Sequence, residues 1–204
     1  MAAGHGNAAV RDTELREKLR DKKAAVAGLG GLGSNIAVML ARAGVGRLLL
    51  VDHDTVEESN LNRQHYGIRH IGMLKTDALA EQIKDIAPSV RTELRSVRVT
   101  EENAAGIFKG YPIVCEAFDD PLCKAALVNT LLSDGDVMVV AASGMAGLGS
   151  TNDIITRKMF RNLYLCGDMT SAAEDGTGSA APRVAVCAGH QANTVLRILT
   201  GLEG

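Results

Sequence analysis

The chain has 204 residues, enough for one domain with a full core, and 46% of them are hydrophobic against 23% charged. A formal net charge of −2 argues against a nucleic-acid or membrane-surface partner, and 3% aromatic residues without Trp argue against recognition of single strands by base stacking. No apolar run reaches the ~18–20 residues of a membrane helix, and no basic segment followed by an apolar run opens the chain as a leader would.

The four cysteines, Cys115, Cys123, Cys166 and Cys187, form no C-x-x-C pair, so neither zinc-ribbon nor thioredoxin spacing is present. These features predict a cytoplasmic protein with reduced thiols, a single domain over residues 1–204, and a flexible, Gly-rich stretch over residues 1–10.

Asp12 or Thr13 caps a short, charged helix running to about Lys23. Ala24–Gly28 reads as an apolar strand. Gly33–Ala43 carries Ile36, Met39 and Leu40 at helical spacing and is stopped by Gly44 and Gly46. Leu48–Val51 is the continuous apolar run of a buried parallel strand. Residues 54–71 are polar and irregular, and a helix spans Gly72 to about Ile86, ended by Pro88.

Val90–Val99 alternates as a strand, and Thr100 opens a short helix to Phe108. Pro112–Cys115 is a strand, and Asp119–Asp120–Pro121 begins a helix to about Leu132. Val137–Ala142 is a strand, followed by the glycine-rich SGMAGLG. Residues 153–156 and 162–166 read as short strands, residues 167–181 as a mobile loop, and Pro182 starts a closing helix to about Thr200. Strands alternating with helices predict a Rossmann-like α/β fold: a mostly parallel twisted sheet with helices on both faces and late antiparallel edge strands.

Gly28-x-Gly30-x-x-Gly33 follows a strand and opens a helix. The first glycine permits the tight turn, the second lets backbone approach a phosphate, and the third packs the helix on the strand. The helix N-terminus offers unpaired N–H groups to an anion. Asp52 closes the next strand, where an acid accepts ribose hydroxyls. The pattern predicts nucleotide binding without distinguishing a dinucleotide from ATP.

The residues that follow favour a triphosphate. Asn60, Arg63, Gln64 and Lys75 come soon after the strand end, and Asp119 ends a later strand. Two cations, two amides and an acid suit phosphates and a magnesium ion. A nicotinamide oxidoreductase needs hydride-transfer groups that the chain does not offer. His53, between Asp52 and Asp54, is read as a tolerated residue rather than a metal ligand, and Asp120 as chiefly a helix cap.

GLGGLGSNIA, LLLVDHDTVEESNLNRQ, IGMLKTDAL and EAFDD together resemble the ThiF/MoeB-like adenylyltransferases, relatives of the ubiquitin-activating enzymes. SGMAGLGSTNDI and APRVAVCAGHQANTVLRIL resemble a short subgroup of ThiF-like proteins. The resemblance implies that the C-terminal glycine carboxylate of a small ubiquitin-like sulfur carrier ending in Gly-Gly attacks the α-phosphate of ATP, forming an acyl-adenylate and releasing pyrophosphate. It implies a ThiS-like carrier and thiamine biosynthesis, with a MoaD-like carrier, another substrate or an inactive nucleotide-holding scaffold as alternatives. By position, Asp52 binds ribose, Asn60, Arg63 and Lys75 contact phosphates, and Asp119 holds Mg²⁺. Larger relatives carry two C-x-x-C pairs for zinc, so no zinc is expected. The resemblance also implies a homodimer, with Arg11 or Arg16 as weakly matched sources of an arginine for the partner's site. Cys166, before the loop, is the candidate sulfur-relay thiol, with an ordinary strand-end thiol as its equal alternative. Ser143–Gly149 could shape a groove for the carrier tail.

Overall fold

The computed structural model describes residues 12–133, 135–171 and 178–202. Helix α1 (Asp12–Leu19) precedes β1 (Lys23–Ala27), α2 (Gly31–Ala43), β2 (Arg47–Val51), α3 (Lys75–Ile86) and β3 (Arg91–Arg95). Then come α4 (Glu101–Phe108), β4 (Ile113–Glu116), α5 (Pro121–Ser133), β5 (Met138–Ala142), β6 (Ile155–Phe160), β7 (Leu163–Gly167) and α6 (Ala181–Leu199). The sheet order is β3-β2-β1-β4-β5-β7-β6; all neighbours are parallel except β6 and β7.

Alternation along β1 explains the two layers of core. Ala24 and Val26 face a cluster with Leu32, Ile36 and Leu40 of α2, Leu79 and Ile83 of α3, and Val184 and Cys187 of α6. Ala25 and Ala27 face the opposite cluster with Phe108 of α4 and Leu127 of α5. A strand buried on both faces has no polar position, which is why AAVA of β1 and LLLV of β2 read as unbroken apolar runs. Phe108 is 1% exposed, and burying a side chain of that kind stabilises by about 1.5–3 kcal/mol.

Chain order reverses at β1, which has β2 on one side and β4 on the other. At such a switch point the crossovers leave in opposite directions and open a crevice at the carboxyl ends of the strands. Gly44, at φ +96°, ends α2 in a left-handed turn in which its N–H donates to Ala41 O and that of Val45 to Leu40 O.

Helix α1 ends at Leu19 rather than about Lys23, which is already the first residue of β1, and three further boundaries differ from expectation for local reasons. Helix α3 begins at Lys75, not Gly72, because Gly72 lies at φ +85° and its N–H donates to Val56 O. Strand β3 stops at Arg95 because its partner β2 ends at Val51, opposite Arg95. The β6 strand lies at 155–160 rather than 153–156; residues 151–153 make a short 3₁₀ turn, with Ser150 Oγ accepting from Asn152 N–H. Of the loop expected over 167–181, residues 168–171 form an ordered turn around Asp168, while 172–177 lie outside the described residues, as do residues 1–10. No described helix is long and apolar enough to cross a membrane.

Candidate active site

The crevice at the carboxyl ends of β1, β2 and β4 is a cleft of about 410 Å³. Its floor is the β1–α2 turn. Gly28 lies at φ +87°, and a Cβ there would stand 2.8 Å from Ala117 O and 2.9 Å from Phe118 Cδ1. A Cβ on Gly30 would meet only Gln64 Nε2, at 3.8 Å, so the backbone there is open to the cleft. Gly33 packs α2 against the turn: a Cβ would collide with the Gly28 carbonyl.

Asp52 ties this turn to the end of β2. Its Oδ2 accepts from Leu29 N–H at 2.6 Å and its Oδ1 from Asp54 N–H at 2.9 Å. A carboxylate has about four acceptor positions, so two remain for ribose hydroxyls. Lys75, the first residue of α3, is 6% exposed, and its Nζ donates to Asp54 Oδ2 at 2.8 Å. Burial pushes the Asp54 carboxyl up, but the Lys75 hydrogen bond and charge outweigh it and leave it below its usual range.

Arg63 also lines the cleft, its Nη1 donating to Asn62 Oδ1 at 2.9 Å and Ser59 O at 3.3 Å. Asn60 is not on the cleft wall: its Oδ1 accepts from Glu57 N–H, and its carbonyl accepts from Arg63 and Gln64 N–H. It shapes the turn that carries Arg63.

Asp119 is exposed on the cleft wall, and among the described residues no hydrogen bond or ion pair engages its carboxylate. Asp120 caps α5, accepting from Leu122 N–H at 2.8 Å and pairing with Arg98. That backbone bond is the main reason its carboxyl stays below the usual range.

Several contributors were missed from sequence. Arg98, beyond β3, reaches the cleft wall. Ser34 Oγ accepts from His65 N–H at 2.9 Å, Asn35 Nδ2 donates to Arg63 O at 3.3 Å, and Tyr66 O–H donates to Leu29 O at 2.8 Å. These three bonds pin the Arg63 segment to the glycine turn. Ser34 and Asn35 directly follow Gly33, and that adjacency was the one available signal.

Glu116 is fully buried at the end of β4, paired with Lys124, whose Nζ also donates to Ala142 O at 3.1 Å. Gln191 Nε2 bridges Glu116 O and Val140 O at 3.0 and 2.9 Å. Burial raises the Glu116 carboxyl against the pull of Lys124. This network fixes the strand ends that precede Asp119 and the glycine-rich loop.

The other features lie apart from this chemistry. Cys166 is 0% exposed, its thiol 3.5 Å from Thr156 Oγ1 and pushed up by burial. In this conformation it offers no open sulfur to a carrier. Donor atoms of Asp52, His53 and Asp54 lie within 4.8 Å of one another, but Asp52 is engaged by backbone and Asp54 by Lys75. Arg16 Nη2 donates to Arg42 O at 3.1 Å, and Arg11 lies outside the described residues. A larger cleft, about 580 Å³, opens at the amino ends of β1–β3 among Arg20, Lys22, Lys23, Arg47 and Arg91. It has no glycine turn and lies away from the switch point, where ligands bind in open α/β sheets.

A glycine turn, a helix N-terminus and an acid at the switch point of a doubly wound sheet define an α/β domain of the nucleotide-binding class. More particularly, the chain belongs to the ThiF family, whose sequence profile matches residues 6–204. It is 37% identical over 151 residues to "Adenylyltransferase and sulfurtransferase UBA4" of Saccharomyces cerevisiae, covering 73% of this chain and 33% of that protein. The Yarrowia lipolytica UBA4 is 31% identical over 189 residues, covering 90% and 47%. The chain thus spans about a third to a half of the length of these relatives. In fold it is similar to the E. coli tRNA N6-threonylcarbamoyladenosine dehydratase TcdA, solved with ATP, at a TM-score of 0.84, 24% identity and coverage of 93% and 90%. E. coli MccB with ATP follows at a TM-score of 0.73, 18% identity and coverage of 93% and 58%.

Proposed function

We propose that the chain catalyses ATP-dependent adenylation of the C-terminal glycine carboxylate of a small ubiquitin-like sulfur carrier, releasing pyrophosphate. One observation carries this reading: Arg63, Lys75 and Asp119 converge on the cleft that holds the glycine turn. The open backbone at Gly30 and the Asp119 carboxylate, without a hydrogen bond or ion pair among the described residues, fit ATP phosphates and a hard cation.

Gly28 and Gly30 admit the phosphates close to backbone, and Asp52 accepts the ribose hydroxyls. Lys75, already placed by Asp54, and Arg63 neutralise the phosphate oxygens as the carboxylate approaches. Mg²⁺ held by Asp119 would supply charge neutralisation on the leaving pyrophosphate. A carboxylate oxygen bonds to the α-phosphorus while the bond from that phosphorus to the oxygen bridging to the β-phosphate breaks. No proton moves, because the nucleophile is ionised at neutral pH. The work of the site is to align two anions that repel.

The UBA4 relatives are named for adenylyl transfer and sulfur transfer, which supports activation by AMP in a sulfur-carrying route. We assign a ThiS-like carrier, thiamine biosynthesis and a homodimer from the resemblance carried by the sequence motifs, with a MoaD-like carrier as the alternative. The likeness to TcdA raises a tRNA-linked carboxylate as a second reading, which the net charge of −2 disfavours. The test is exchange of labelled pyrophosphate into ATP. Dependence on both carrier and Mg²⁺ is expected; equal exchange without a carrier removes the assignment. Stabilisation by NAD rather than ATP in a thermal-shift comparison replaces it with an oxidoreductase.

A further inference from the structure

Among the described residues, the most deeply buried ion pair outside the cleft joins Arg183 to Asp168, with side chains 4% and 9% exposed. Its placement is informative. Asp168 holds the amino end of the glycine-rich loop 143–150: its N–H donates to Gly144 O at 2.9 Å, and Met169 N–H donates to Ser143 O at 3.0 Å. A Cβ on Gly144 would collide with Asp168 Oδ1. Arg183 holds the other end, its Nη1 donating to Ser150 O at 2.7 Å. The ion pair therefore closes the loop at its base. Between the two anchors, Gly147 N–H donates to Gly178 O at 2.9 Å, and Gly147 bridges Ser179 in parallel. Met145 of the loop, Ser179 and Val184, next to Arg183, all line the nucleotide cleft.

Stability alone is a weak reason for such a pair. Removing two charges from water costs about as much as their attraction returns, unless every donor is satisfied. Arg183 Nε is buried without a partner among the described residues. An apolar pair would hold the core at least as well, but it would lose the Arg183 bond to Ser150 O and the Thr170 and Ser171 N–H bonds to the Asp168 carboxylate, which set the turn whose backbone holds Ser143 and Gly144.

We propose that Arg183 and Asp168 are positioning residues: a clamp that holds the Gly144–Gly149 segment against Gly178–Ser179 as the wall of the cleft along which the acyl substrate's main chain reaches the nucleotide. The substrate part of this inference rests on the adenylation reading. Glycine in both segments leaves room for an extended chain, and Gly144, Gly147 and Gly178 all have positive φ, from 62° to 79°. Rigid ends keep those otherwise floppy residues in register.

The test uses Arg183→Met, Asp168→Asn and Gly149→Ala in the full chain. The last keeps both charges but places a Cβ 3.0 Å from Arg183 Nη1. Val195→Ala, at a buried position in the same helix, is the control for simple destabilisation. Hydrogen exchange at Gly144–Gly149 and Gly178–Ala180 is expected to accelerate roughly tenfold or more in the clamp variants, with Gly28–Gly33 unchanged. Unchanged exchange in the two segments, or equal acceleration in Val195→Ala, overturns the clamp. With a ThiS-type carrier ending in Gly-Gly, the KM for carrier is expected to rise roughly tenfold while the KM for ATP stays within about twofold. Equal rises in both overturn the assignment of this wall to the acyl substrate. Absence of carrier-dependent exchange in the wild type removes the adenylation reading instead, and hydrogen exchange still decides the clamp. Asp168→Asn and Gly149→Ala keep the test decisive where Arg183→Met does not fold.

Discussion

Replacing Gly33 by Ala adds one carbon at the joint between α2 and the glycine turn. That carbon would lie within the van der Waals radius of Gly28 O, 2.8 Å from Gly28 C and 3.1 Å from Val26 Cγ1. Bringing the Gly28 carbon to an ordinary 3.4 Å contact alone requires a shift of about 0.6 Å, and the nearest atoms are backbone, which yields least. Overpacking of this kind costs about 2–3 kcal/mol. For a chain of this size that is a fall in Tm of roughly 4–12 °C. The same shift moves the helix N-terminus away from the phosphates and weakens ATP binding about tenfold, or ~1.4 kcal/mol. Gly106→Ala in α4 is the matched control. A Cβ there meets nothing within 4 Å, so stability should rise by the roughly 0.4–1 kcal/mol that removing helical Gly provides, and Tm by roughly 1–4 °C. Calorimetry of ATP binding with thermal melts of both variants checks the pair. If Gly33→Ala behaves like Gly106→Ala, the close-packed turn is not what positions the site.

Three further outcomes follow from the same geometry. Lys75→Ala should reduce carrier-dependent pyrophosphate exchange by roughly a hundredfold or more. Its Tm should fall by only ~2–4 °C, because Asp54, with its side chain 51% exposed, can take up water. Burial opposes ionisation of Asp168, but the N–H groups of Ser171 and Thr170 outweigh it and hold the carboxyl below its usual range. A depressed carboxyl stabilises above its unfolded value near 4 and loses that contribution as pH falls, so the urea midpoints of wild type and Asp168→Asn should draw steadily together as pH falls below about 5. All four cysteines are buried, and burial raises each thiol, Cys187 to about 12. Native protein at pH 8 should therefore alkylate at least about a hundredfold more slowly than protein in urea. Fast native labelling of Cys166 would return it to the sulfur-relay role.

The parallel sheet and the glycine turn were legible because their signals are local. Apolar runs such as LLLV mark strands buried on both faces, and Gly28, Gly30, Gly33 and Asp52 sit at fixed spacing around one turn. Strand ends were less legible where a partner decides them: Arg91–Arg95 stops because β2 stops, which no property of residues 96–99 announces. The site divided along the same line. Arg63, Lys75 and Asp119 reach the cleft, whereas Asn60 turns its amide to Glu57 N–H, a capping use that the sequence cannot separate from a phosphate contact. Arg98, Tyr66 and Glu116 act through partners 22, 37 and 8 residues away, so no short pattern could select them. Cys166 followed a plausible position in the chain, but the helix and strands packed over it bury it.

The central claim is that this cleft joins AMP to a carboxylate. Intact-mass spectrometry of a ThiS-type carrier incubated with the protein, ATP and Mg²⁺ tests it most directly. The account predicts an AMP adduct on the C-terminal glycine, lost when that carboxylate is blocked and absent with Lys75→Ala. A carrier that stays unmodified while ATP is bound, or an adduct that persists in Lys75→Ala, contradicts it.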